Sequence, residues 1–78
     1  MNVVTSYTIG IIGGGQLARM MHQAAIGLGV RTRLLASDPD ESAAQVMSDV
    51  VVGSHLDHDA VMNFAAGCDV VTFDHEHV

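Results

Sequence analysis

Apolar and polar positions along the chain follow two alternating rhythms. From Tyr7 to Ile12 the residues are nearly all apolar, with β-branched isoleucines at Ile9, Ile11 and Ile12. Such a run suits a strand covered on both faces. The pattern then switches to a helical period. Leu17, Met20, Met21, Ala24, Ala25 and Leu28 fall at i, i+3, i+4, i+7, i+8 and i+11, which draws one apolar stripe along a helix, and Arg19, His22 and Gln23 face the other way. Met20 and Met21 are therefore expected to pack in the core. Gly29 stands where a helix C′ residue belongs. Val30 to Ala36 reads as a second strand, with Arg31 and Arg33 on one face, Thr32 and Leu34 on the other, and burial expected at Leu34 and Leu35.

Ser37 to Ser42 is a loop by composition, since Pro39 discourages a helical conformation at Asp38. Ala43 to Met47 has room for a turn or two of helix. Val50 to Val52 is a short third strand closed by Gly53. Asp57 is a suitable N-cap for a helix over His58 to Ala66, Leu56 and Val61 are spaced for a hydrophobic staple, and Asp59 complements the helix dipole. Ala60, Val61, Phe64 and Ala65 form its buried stripe, and Gly67 ends it. Val70 to Phe73 is the fourth strand, followed by Asp74, His75, Glu76, His77 and Val78.

Strands alternating with helix-length crossovers predict an α/β fold with a parallel sheet. Right-handed crossovers then give about four strands in the order 3-2-1-4, helices on both faces and a switch point between strands one and four. The consequence for function is geometric. The glycine turn Gly13-Gly14-Gly15 after strand one and the acidic tail after strand four should lie side by side at the carboxyl edge, where sheets of this class bind ligands. Glycines allow a tight turn and close backbone approach, and the helix behind them offers unpaired N–H groups. An anion, most often phosphate, is the expected occupant.

Composition narrows the chemistry. The chain has 78 residues, a hydrophobic fraction of 49%, one Tyr, two Phe and no Trp, so its core must be aliphatic. A chain of this size buries only about 60% of its unfolded surface. Marginal stability follows, and a partner or a continuation of the chain is expected. Nine carboxylates against Arg19, Arg31 and Arg33, with no lysine, give a net charge of −6. Nucleic-acid binding is excluded by the missing basic patch, and a self-sufficient nucleotide-hydrolysing site by the missing lysine. No apolar run reaches the length of a membrane span and Met1 to Ser6 has no signal-peptide pattern, so a cytoplasmic chain is expected. Cys68 reads as a small apolar residue rather than a nucleophile. His55, His58, His75 and His77 lack metal-ligand spacing, and no metal site is assigned. Arg19, in the first turn of the first helix, is placed to meet a phosphate or an interdomain acid.

Gly13-Gly14-Gly15-Gln16-Leu17-Ala18 satisfies G-x-G-x-x-G/A between a strand and a helix. With Asp38 as the acid about 20 residues further on, a stand-alone NAD(P)-binding Rossmann module is one reading. A second comes from larger blocks. Gly13 to Met20, Asp38-Pro39-Asp40 leading to Ala43 to Val46, and Asp69 to Val78 together resemble the amino-terminal segment of the 5-(carboxyamino)imidazole ribonucleotide synthases, the ATPase subunit of phosphoribosylaminoimidazole carboxylase. The resemblance runs from about Thr8 to Val78. It implies a Rossmann-like preATP-grasp domain over residues 1–78, within a longer three-domain ATP-grasp ligase of purine biosynthesis. It also implies ATP and Mg²⁺ bound outside this segment, a homodimer, and a ribonucleotide substrate whose amine is carboxylated by bicarbonate. Gly14, Gly15, Gln16, Leu17 and Glu76 are the substrate-binding residues that it implies, with no catalytic residue in the segment, which alone should be inactive. Glu76 matches the second acid of the family's Glu-x-Glu-Asn stretch. Asp74 stands in place of its first acid, His75 replaces an aromatic or aliphatic residue, His77 replaces the Asn, and Ala18 stands where Gly is common.

Overall fold

The computed structural model describes residues 7–74. Its elements are Thr8–Ile12 (β1), Gln16–Leu28 (α1), Arg31–Ala36 (β2), Val50–Val52 (β3), His58–Ala66 (α2) and Val70–Phe73 (β4). The four strands form one parallel sheet in the order β3-β2-β1-β4, the order expected from the sequence. β1 is central, with Ile11 opposite Leu34 on β2 and Thr72 on β4, and Ile12 opposite Leu35 and Phe73.

Alternation along these strands splits the core in two. Ile11, Leu34 and Ala36 pack with Ala18 of α1 and with Ala43 and Met47 from the β2–β3 connection. Ile12 and Leu35 pack on the opposite face with Phe64 of α2. One residue's step along β1 thus moves from one helix layer to the other, as a strand's period of two requires. Gly10 faces the α2 layer, and a Cβ there would fall 2.5 Å from Cys68 Sγ and 2.9 Å from the Phe64 ring. Its lack of a side chain sets how closely α2 and the segment after it approach β1.

Local details follow the sequence reading with exceptions. Gly29 ends α1 with φ 71°, and its N–H donates to Ala25 O and Ile26 O. Asp57 caps α2, its Oδ1 accepting from the N–H groups of Asp59 (3.0 Å) and Ala60 (3.2 Å). The expected staple does not form: Leu56 is 83% exposed, while Val61 packs beside Phe64. The α1 stripe also needs correction. Ala18 and Ala25 are buried and Met21 packs on the core, but Met20 is 54% and Leu28 78% exposed. A 13-residue helix over a sheet this narrow has more apolar surface than it covers, so Met21, Ala24, Ala25 and Leu28 instead line an open groove of about 350 Å³ with Ile9, Val70 and other sheet residues. The Ala43 to Met47 segment makes helical-type turns, with Met47 N–H on Ala43 O, and no regular helix. Arg33 lies in the α2 layer, its Nε 3.5 Å from Asp49 Oδ1 and its guanidinium carbon 5.4 Å from the Phe64 ring centre. No helix among the described residues is long and apolar enough to cross a membrane.

Gly10→Ala forces the Cys68 thiol and the Phe64 ring apart and is expected to destabilise the fold by about 1–3 kcal/mol, the usual cost of overpacking. Urea denaturation measures it, and pairing the change with Cys68→Ala should recover part of the loss, because the nearest clashing atom is then gone.

Candidate functional site

At the carboxyl edge the three glycines of the turn do different jobs. Gly13 takes φ 100°, a conformation that a side chain disfavours, and its N–H donates to Leu35 O at 2.9 Å. Gly14 is buried against Glu41: a Cβ on it would sit 2.5 Å from Glu41 Oε1 and 2.9 Å from Glu41 Cβ. Its carbonyl accepts from Ala43 N–H at 2.8 Å. Gly15 is the N-cap of α1, extended at φ −79° and ψ −165°, and having no side chain it supplies no capping acceptor.

That acceptor comes from the other end of the chain. The Asp74 N–H donates to Ile12 O at 2.8 Å, continuing the β1–β4 pairing past Phe73, and Asp74 Oδ2 accepts from Ala18 N–H at 3.2 Å. Its residue is fully buried. Ala18 is the third residue of α1, the position whose N–H an N-cap side chain ordinarily satisfies. The glycine turn and the acidic tail do lie side by side, as the strand order predicted. At the start of α1 the Ala18 N–H is met by the protein's own Asp74 carboxylate. Asp74 was legible as an acid and missed as a cap. The available signal was a glycine N-cap with no acidic residue in the first turn of its helix, beside a strand ending in Asp.

Around this centre, Gln16 is exposed and its Oε1 accepts from Ser42 Oγ at 3.2 Å. Ser37 Oγ donates to Glu41 Oε2 at 2.9 Å, so the β2–β3 loop is tied to itself beside the turn. Leu17 and Arg19 are half-buried in the first turn of α1, and Arg19 makes no ion pair among the described residues. Of the sequence-assigned residues, Gly14, Gly15, Gln16 and Leu17 thus sit together, with Glu41 and Ser42 as neighbours the sequence reading did not assign. Glu76, His75 and His77 lie outside the described residues. Asp38, the acid required for a dinucleotide ribose, has its Oδ1 engaged by Asp40 N–H at 2.8 Å within its own exposed loop. Among the described residues no group of three His, Cys, Asp or Glu side chains is placed to hold a metal ion.

Comparison with known proteins gives this geometry a family. Residues 6–78 match the ribonucleotide synthetase preATP-grasp domain. The chain belongs to that family. The N5-carboxyaminoimidazole ribonucleotide synthase of Mycobacterium tuberculosis is 56% identical over 78 residues, covering 96% of this chain and 18% of that protein. The phosphoribosylaminoimidazole carboxylase of Ogataea methanolica is 43% identical over 75 residues, covering 94% of this chain and 14% of its own length. Among solved structures, the N5-carboxyaminoimidazole ribonucleotide synthetase of Thermotoga maritima superimposes with a TM-score of 0.83 at 38% identity, over 92% of this chain and 20% of that one. That of Staphylococcus aureus has also been solved in complex with ADP, and that of Aspergillus clavatus in complex with ATP. The chain spans about a fifth or less of the length of these relatives.

Cys68 is half-buried, with its Sγ 3.4 Å from Phe64 O. Burial pushes its thiol pKa up, outweighing the lowering effect of Arg33. The thiol is therefore a poorer nucleophile in the folded state than in the unfolded one. The sign for stability follows: the contribution is fully present below the unfolded pKa and is lost as pH rises through the raised folded value. Iodoacetamide at pH 8 is expected to alkylate Cys68 several-fold more slowly in the native protein than in urea, read by mass spectrometry.

Proposed function

We propose that residues 1–78 are the amino-terminal preATP-grasp domain of a longer, three-domain ligase that carboxylates the amine of 5-aminoimidazole ribonucleotide with bicarbonate, at the expense of ATP, in purine biosynthesis. The observation that carries this reading is the 56% identity to a N5-carboxyaminoimidazole ribonucleotide synthase across 96% of the chain. The physical division of labour agrees with it. Bicarbonate is a poor electrophile, and transfer of a phosphoryl group to one of its oxygens supplies a leaving group; the amine nitrogen then attacks the carbon, phosphate departs and the amine gives up a proton. Phosphoryl transfer needs cations to hold the transferred charge. This chain has three arginines and no lysine, so it fits a substrate-orienting role better than a phosphoryl-transfer role.

ATP and Mg²⁺ are accordingly assigned to the later domains; that the full enzyme uses ATP is supported by the ADP and ATP complexes of relatives. The ribonucleotide is assigned to the carboxyl edge, where Gly14, Gly15 and Leu17 offer backbone groups and Gln16 a side-chain amide that both donates and accepts. Glu76, two residues beyond the buried Asp74, is assigned to the ribose or amine. The enzyme is proposed to be cytoplasmic and homodimeric.

The test uses the full-length protein with ATP, Mg²⁺, bicarbonate and 5-aminoimidazole ribonucleotide. ADP release is expected to depend on the ribonucleotide, and Gln16→Ala and Glu76→Gln should each raise its KM about tenfold with the KM for ATP unchanged, the signature of lost substrate binding. ADP release indifferent to the ribonucleotide would overturn the assignment. The 78-residue chain by itself is expected to release none.

A further inference from the structure

A glycine turn leading into a helix is an anion site by default, because first-turn N–H groups and the positive dipole end converge on it. Here that default is cancelled from within. The Asp74 carboxylate is fully buried and takes the Ala18 N–H, on the third residue of α1. Glu41 sets a second carboxylate against Gly14 from the opposite loop, held by Ser37 Oγ. Arg19 is the only cation in the first turns of α1, and no lysine exists to offset two acids. A further anion at the turn would displace Asp74 from its hydrogen bond or sit beside two like charges, which is unfavourable at short range.

We propose that Asp74 is the specificity-determining residue of this edge: its carboxylate fills the anion position at the start of α1, so the turn accepts the hydroxyl or amine part of a ligand and turns its phosphate away. The inference rests on the proposed binding of a ribonucleotide at this edge and adds the ligand's orientation. It also accounts for a chain that satisfies a dinucleotide fingerprint at Gly13 to Ala18 without being built to hold a pyrophosphate there. Asp74 acts through the turn, and its own position is fixed by its N–H donating to Ile12 O.

The experiment uses the full-length protein, wild type, Asp74→Ala and Asp74→Asn, with inorganic phosphate as the probe. Asn keeps a capping oxygen while removing the charge, and so guards against a variant that fails to fold. Crystals soaked in phosphate are expected to show none at the N–H groups of residues 15–18 in the wild type and an ordered ion there in Asp74→Ala. The KM for the ribonucleotide should rise about tenfold or more in Asp74→Ala, where the turn loses both its cap and its charge, and less in Asp74→Asn, which keeps a capping oxygen, with the KM for ATP unchanged in both. Phosphate bound at the turn in the wild type, phosphate absent from the turn in both variants, or a ribonucleotide complex with its phosphate on residues 15–18 would each overturn the proposal. Equal rises in both KM values would overturn it too, since a merely structural residue acts that way. A wild-type enzyme that ignores the ribonucleotide yet shows the phosphate result in Asp74→Ala would instead defeat the functional reading and leave the exclusion of phosphate standing.

Discussion

β1 has to be buried on both faces and end in a turn that no side chain obstructs, and most of the structure answers to that constraint. Ile11 and Ile12, adjacent in sequence, belong to separate hydrophobic layers, so both α1 and α2 need β1 in order to have a core. Gly10 brings the α2 layer close enough for Phe64 to be 2% exposed, and Gly13 redirects the chain at once into α1. Parallel pairing on both sides of β1 then carries the ends of β2 and β4 to the same edge as the turn. The site is thus a by-product of closing the core around one strand.

The chemistry at that edge is governed by what the backbone leaves unsatisfied. A glycine N-cap yields the tightest turn and gives up the side-chain acceptor that most helices place there. Asp74 restores it from just past β4, 56 residues away in sequence, so a long-range contact performs what is usually a local one. Burying a carboxylate is costly unless hydrogen bonds meet it, and the helix N-terminus meets it here. The bond therefore stabilises the fold and sets the electrostatic character of the edge together. Glu41 reinforces that character from the β2–β3 loop, and the chain has three arginines and no lysine to set against it.

Periodicity, punctuation and strand counting determined the element order, the strand order 3-2-1-4, the Asp57 cap, the Gly29 stop and the burial of Leu34 and Leu35, because each depends on residues near one another in sequence or on the handedness of parallel crossovers. The blocks around Gly13 to Met20 and Asp69 to Val78 likewise carried the family in the sequence itself. Tertiary structure alone decided the rest. Met20 and Leu28 remain exposed because a helix's apolar stripe shows which way it faces and not how much of it the sheet can cover. Leu56 misses its staple because spacing permits that contact without supplying a surface to hold it. Above all, the partner of the α1 N-terminus was invisible in the local sequence: Gly15 and Ala18 declare an open anion position, and only the pairing of β4 on β1 brings the Asp74 carboxylate into it.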